Sequence, residues 1–425
     1  MSIELIIFLA MVGTFVAGCF LFKLPVSVSM VLSAIIGGLV GGQGIPLRHL
    51  VEGTFSYVDT ILVITTAMVF MKVIQESGAL DALSALIIEK FHKFPALLLC
   101  LIMLVIMFPG MITGSSTAAV LSAGSFMAPV LMLMGFPMLE TACILAMGGI
   151  LGMIAPPVNI PAMIIGGGID IPYVGFELPL ALLTFPLAFL FVLMFGLKYV
   201  KKLDYEAIKS KLNDEPKKKF GFRIYIPILV AVVLMVVNKT MPAFPNLGMP
   251  LIFMISAIVG LFTGYKINVV KVCKDAVKTV LPVLGILMGV GMFIQIMTLT
   301  GVRGFIVTTC ISLPNALLYG AMAVTIPLFG AVSSFGAASV LGVPFLLAFL
   351  SSNQIITAAA ISLIASLGDM MPPTALAGIF AAQVVGLEKY SLVLKKCIVP
   401  SLIIIVWAIV FILFANQLAP FIVLK

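Results

Sequence analysis

Residues 111–120 read MITGSSTAAV and lie between two strongly apolar runs. Two adjacent hydroxyls and a glycine in such a place need a reason, because lipid offers no partner to a polar group or to unwound backbone. The flanks narrow the choice. A full crossing takes about 20 apolar residues, so residues 96–134 are too short for two crossings and a loop. They read as a re-entrant helical hairpin with the GSS triplet at its tip. Lys90, His92 and Lys93 just before it put its entrance on the cytoplasmic side, where basic loops concentrate.

The rest of the chain agrees with a membrane setting. Of 425 residues, 62% are hydrophobic and only 9% are charged, whereas soluble domains sit near half and a quarter. That leaves room for roughly ten to twelve crossings of the bilayer. The first apolar stretch contains Glu4 and lacks a basic leader region, so it reads as a retained span. The net charge of +8 is dispersed over short loops. It sets topology and is not a nucleic-acid footprint. Six cysteines form no CxxC pair, and the two histidines, His49 and His92, lie far apart. With no nucleophile–base pair, metal-ligand cluster or phosphate loop, an enzyme is not expected.

One long polar segment interrupts the chain, KYVKKLDYEAIKSKLNDEPKKKFGFR at 198–223, with nine Lys or Arg against four acids. The positive-inside rule makes it cytoplasmic. It divides the chain into a first membrane repeat (1–200), a basic cytoplasmic loop (201–223) and a second membrane repeat (224–425). Counting spans outward from it puts the N-terminus outside and inverts the second repeat relative to the first. Each half then reads as three spans, a hairpin, a span broken by a Pro-Pro pair, and a closing span. The hairpins fall at about 96–134 and 314–352, and the broken helices at about 139–168 and 354–386. Pro156-Pro157 and Pro372-Pro373 lie 216 positions apart, and Gly110 and Gly330 lie 220 apart. The expected fold is therefore all-α, with two inverted-topology repeats, each carrying a re-entrant hairpin and a discontinuous transmembrane helix. Paired breaks of this kind point to a secondary transporter's binding site, because freed N–H and C=O groups persist where they hold an ion, a substrate or water.

At TGSSTAA (113–119) with its Met-Ala-Pro-Val and Gly-Phe-Pro continuation (127–137), at APPVNIPAMIIGG (155–167) and at MPPTALAG (371–378), the chain resembles the large membrane subunit of TRAP transporters, the DctM-like branch of the ion transporter superfamily. The resemblance covers essentially the whole chain. It differs from the usual pattern in having no acid shortly after GSS and in Val158-Asn159 after the first Pro-Pro. What the resemblance implies is an elevator-type, sodium-coupled importer of small organic acid anions, of dicarboxylate or sugar-acid type, in a bacterial inner membrane. It also implies two partners, a small four-helix membrane subunit and an extracytoplasmic substrate-binding protein. A stand-alone permease of the gluconate or citrate type and a sodium/proton antiporter are the alternatives.

Sodium, the expected coupling ion, takes oxygen ligands. Ser115 and Ser116, with backbone near Gly114, suit one site beside the break at Pro156. By the repeat, Ser333, Ser334 and backbone near Gly336 face the second break, where Thr374 adds a hydroxyl. The bland alternative is that these hydroxyls bond back to their own helices. Asp369 stands in a run without other charges from 354 to 387. A carboxylate at mid-membrane costs at least ~2.5–3.5 kcal/mol, which a bound cation or proton would offset; hydration near an interface is the other reading. Thr113 and Asn159, with backbone at Pro157 and Pro373, are the candidate substrate contacts. Arg303 reads as an interfacial anchor.

Overall fold

The computed structural model describes residues 2–199, 213–241, 244–312, 314–372 and 375–423, and among them the chain is helical throughout, without strands. The first half runs α1 (Ile3–Phe20), α2 (Val26–Val40), α3 (Leu47–Phe55), α4 (Val58–Glu76) and α5 (Ala79–Phe91). It continues through α6 (Pro95–Thr113), α7 (Ser116–Leu133), α8 (Met138–Ile154), α9 (Ile160–Gly167) and α10 (Glu177–Gly196). After the short α11 (Glu215–Phe220) come α12 (Ile226–Thr240), α13 (Gly248–Gly260), the 31-residue α14 (Val269–Leu299), α15 (Val302–Ile311) and α16 (Asn315–Gly330). The chain ends with α17 (Ser334–Ala337), a π turn (Ala338–Gly342), α18 (Val343–Ala348), α19 (Gln354–Ser366), a 3₁₀ turn (Leu367–Met370), α20 (Leu376–Val385), α21 (Tyr390–Lys396), α22 (Ile398–Leu413) and α23 (Ala415–Ile422).

Hydroxyls survive inside these apolar helices because they bond to carbonyls one turn back: Thr14 to Ala10 at 2.7 Å, Thr65 to Ile61 at 2.7 Å, Thr184 to Leu180 at 2.7 Å. Helix starts are capped where a side chain can reach. Asn268 accepts from the Lys271 N–H at 3.0 Å and Asn353 from the Ile356 N–H at 3.1 Å.

Among the described residues, seven helical segments are long and apolar enough to cross a membrane, or up to nine when each sharply bent pair counts as one span. That falls short of the ten to twelve expected. The difference lies in helices of 10–17 residues, among them α2, α8, α13, α16 and α19. Of these, α8 and α19 are parts of broken helices and α16 is an arm of the second hairpin, which bilayer thickness does not count. Both arms of the first hairpin, α6 and α7, are by contrast long enough to be counted among the seven, despite the expectation that 96–134 is too short for two crossings.

Burial sorts the helices into two bodies. In one, α8 is buried from Glu140 to Ile154, α9 from Ile160 to Gly166, and α19 from Ile356 to Ser366. Helices apolar all round belong at the centre of a protein. Around them pack α6, α7, α10, α16–α18 and α20–α22. The other body is a frame of α1–α4 and α12–α14. Its backbones come close where α3 meets α14: a Cβ on Gly291 would lie 1.9 Å from the Gly53 carbonyl oxygen. The outward faces of α1, α12 and α22 expose Leu9, Val232, Val236, Leu402 and Val406.

Two connectors join the bodies. The first is α5, which packs on α4 and α6. The basic segment begins its described part on α5: Lys217 pairs with Glu89, and the Tyr225 hydroxyl donates to the Ala82 carbonyl at 3.0 Å. The second is α15, which touches α1, α14 and α18. The direct interface is thin. It includes the Phe15–Phe329 stack (5.4 Å between centroids) and the Tyr57 hydroxyl, which donates to the Ile164 carbonyl at 2.9 Å.

Candidate functional site

Gly114 ends α6 in the left-handed region (φ 63°, ψ 28°), a conformation glycine adopts without steric penalty. The chain can then reverse within two residues and start α7. Ser115 caps α7, its Oγ accepting from the Ala118 N–H at 3.2 Å. Ser116 follows, 2% exposed, and its hydroxyl donates to Oδ2 of Asp369. The second hairpin repeats this arrangement. Ser333 caps α17 by accepting from the Gly336 N–H at 3.2 Å, and the Ser334 hydroxyl donates to Oδ1 of Asp369. Both hairpin tips therefore meet on one buried carboxylate, each through the serine that follows its capping serine.

Asp369 sits in the 3₁₀ turn that ends α19. The position 216 residues earlier is Met153, so the repeat supplies one carboxylate, not two. Each hairpin is pressed onto its broken helix through paired glycines. A Cβ on Gly110 would lie 2.9 Å from the Gly152 carbonyl carbon, and one on Gly330 would lie 2.6 Å from the Gly368 Cα. Gly152 and Gly368 each precede their Pro-Pro pair by four positions.

The first break, Ala155–Asn159, lies against the first hairpin tip. The Val158 N–H donates to the Met111 carbonyl at 3.1 Å, and a Cβ on Gly114 would meet the Ile160 side chain at 2.6 Å. Asn159 is fully buried and spans the break. Its Oδ1 accepts from the Ala162 N–H at 2.9 Å, while Nδ2 donates to the Ile154 carbonyl at 3.0 Å and to the Ser362 hydroxyl at 2.9 Å. Both amide donors are committed to the protein. Thr113 is likewise occupied, donating to the Pro109 carbonyl at 2.7 Å. Pro156 and Pro157 are half-buried, between the fully buried Ala155 and Val158. Pro373 and Thr374 lie outside the described residues.

Ser116, Ser334 and Asp369 thus form one oxygen cluster, which Ser115 and Ser333 support as caps. Four oxygens from a carboxylate and two hydroxyls make a hard donor set of the kind that suits small, hard cations. The N-terminus of α7 adds positive potential at the cluster, and that of α9 lies against Gly114 of the same tip. Two further residues gave no signal in the sequence. Ser362 reads as one more helical hydroxyl until α19 packs beside the first break. Ser339, in the π turn, is fully buried with no hydrogen-bond partner for Oγ and lines a small cavity with Arg303. Arg303, on α15, is half-buried there against the second hairpin.

Hairpins and broken helices folded around one carboxylate, inside an all-helical membrane chain, define a multi-pass transporter. A crystal structure of the Alcanivorax borkumensis YdaH transporter, described as having an unusual topology, superposes with a TM-score of 0.61 over 86% of each chain at 14% identity, a likeness of fold. The chain belongs to the family described as the tripartite ATP-independent periplasmic transporter, DctM component, whose model matches residues 8–418. Comparison with curated proteins returns no significant match.

Proposed function

We propose that the chain is the large permease subunit of a tripartite, sodium-coupled importer of small organic acid anions. The observation that carries this reading is Asp369, held by Ser116 from one hairpin and Ser334 from the other. A sodium ion at these oxygens offsets the cost of a buried carboxylate. It also draws both tips onto the second break, so ion binding and closure of the site are one event. The anion sits beside the ion, held by hydroxyls and the helix N-termini at Ser116 and Ile160. Asn159 acts on it through backbone geometry, its side chain being committed to bridging the break.

The two-body architecture supports an elevator motion, with the buried body sliding against the frame and α5 and α15 bending as connectors. In this reading the chain lies in a bacterial inner membrane with its N-terminus outside and the 198–223 loop in the cytoplasm. A small four-helix membrane subunit and an extracytoplasmic binding protein complete the system.

The test is uptake of labelled C4-dicarboxylates and sugar acids into proteoliposomes holding the chain, with and without the small subunit, the loaded binding protein and an inward sodium gradient. Accumulation that needs both the gradient and the binding protein is the expected result. The same carboxylate would serve a sodium/proton antiporter as its titrating group. Sodium-driven proton flux without anion accumulation would establish that reading instead, and sodium-dependent uptake without the binding protein would mark a stand-alone permease.

A further inference from the structure

A cavity of about 480 Å³ opens on the outer side of the buried body, away from the frame. One wall is α16, through Val324 and Leu328; another is α22, through Leu402 and Ile405; the floor is the second break, through Met371 and Pro372. Leu367 and Met370 of the 3₁₀ turn also face it, whereas Asp369 of the same turn points the other way, into the hairpin tips. The cavity therefore lies behind the ion site and is separate from it.

Its described lining is almost wholly apolar. Among the described residues that line it, Lys395 and Ser401 alone carry side-chain N or O atoms, and the Ser401 hydroxyl already donates to the Cys397 carbonyl at 2.8 Å. At Met371, on the floor, both backbone groups are bonded. Met371 N–H donates to Gly368 at 3.0 Å, and its carbonyl accepts from the Ala375 N–H at 3.0 Å. What remains is an apolar trough beside the outward apolar faces of α16 and α22, with a cation at one end. Left empty, its lining forfeits dispersion contacts, and the surrounding solvent of a membrane chain is acyl chain. Lys395 is exposed and shares α21 with Lys396; no acid is among the described residues that line the cavity. Glu388 and Lys389 precede α21 and Lys396 is committed to Glu140, so Lys395 is the cation that faces the trough. Basic residues of this kind mark the cytoplasmic surface, where they attract anionic headgroups.

We propose that this trough holds an acyl chain of one anionic phospholipid, with its headgroup against Lys395 and the chain resting on Met371–Pro372. The lipid then buttresses the second break from behind while the hairpin tips hold it from the front.

Lipid binding is measured apart from transport, so its outcome does not depend on which ion or anion is carried. The detergent-purified chain is titrated with phosphatidylglycerol and with phosphatidylcholine of identical acyl chains, and retained lipid is read by native mass spectrometry. The expected result is one tightly retained phosphatidylglycerol and about fivefold weaker retention of phosphatidylcholine, as one basic residue at a membrane surface confers. Lys395→Gln, an exposed substitution that leaves folding intact, removes the preference without lowering phosphatidylcholine retention. Leu402→Trp, which fills the trough, lowers retention of both lipids at an unchanged unfolding midpoint. Equal retention of the two lipids by the wild type, or an undiminished preference in Lys395→Gln, overturns the proposal. So does photo-crosslinking from position 324 in native membranes that captures a protein and no lipid.

Discussion

At the scale of residues, the two serines of each tip do different work despite being neighbours. Ser115 and Ser333 spend an oxygen on a helix N-cap, worth about 1 kcal/mol of helix stability. Ser116 and Ser334 donate to a buried carboxylate, an interaction worth ~1.5–3 kcal/mol. Ser116→Ala and Ser334→Ala should therefore each raise the sodium concentration for half-maximal uptake by about tenfold, since 1.4 kcal/mol is a factor of ten. Ser115→Ala and Ser333→Ala should lower the unfolding midpoint instead and leave sodium dependence close to wild type. Sodium titrations of uptake alongside thermal melts of the four variants check this. An equal sodium effect in all four would mean that the tips act only as a folded unit.

At the scale of elements, helix contact is set by glycines, and their surroundings predict which can be replaced. A methyl at Gly330 or Gly368 would run into backbone at 2.6 or 2.5 Å. Backbone cannot rotate away, so Gly330→Ala and Gly368→Ala should each cost about 1–3 kcal/mol and loosen the second hairpin from its break. Gly114→Ala adds a left-handed φ to a clash with Ile160 and belongs to the same class. Gly320 is the control. Nothing lies within 4 Å of its would-be Cβ in α16, so Gly320→Ala should be neutral or stabilising by about 0.5–1 kcal/mol. Denaturant or thermal unfolding in detergent separates these outcomes. A second element-level contact ties the halves together. Lys396 of α21 pairs with Glu140 at the start of α8, and the Tyr199 hydroxyl donates to the same Glu140 oxygen at 3.2 Å. Because the Lys396 side chain keeps 34% of its surface in solvent, screening limits the loss. Glu140→Gln should cost only about 1–2 kcal/mol in the same assay, well below the 3–5 typical of a fully buried pair.

For the whole molecule, the thin contact between frame and buried body bears on the proposed elevator motion. Phe15 and Phe329 stack across it, and the Tyr57 hydroxyl bonds to the α9 carbonyl of Ile164. In a background without native cysteines, Phe15→Cys with Phe329→Cys should be joined by a short bifunctional thiol reagent. Uptake should then fall to background and return when a reducible linker is cleaved. Full uptake by the cross-linked protein would exclude relative movement of the two bodies.

Composition and the period of apolar runs sufficed for a membrane protein made of helices, because bilayer chemistry leaves a chain few alternatives. GSS with Pro-Pro and SSFGA with Pro-Pro were legible as two copies of one device, since glycine, proline and adjacent hydroxyls report local backbone needs wherever they fall. Asp369 was legible as an isolated charge in an apolar run. Which serine of each pair would reach it was not, because that depends on the rotation of α7 and α17 once capped. Nor could spacing reveal that Asn159 would be bonded at every donor. Its partner Ser362 is 203 positions away, and only the packing of α19 against the first break brings them together. The sequence determined the parts and their local bends, which arise from interactions within a few residues. The convergence of two hairpins on a single carboxylate was decided by tertiary structure, through glycine contacts between segments that no local signal connects.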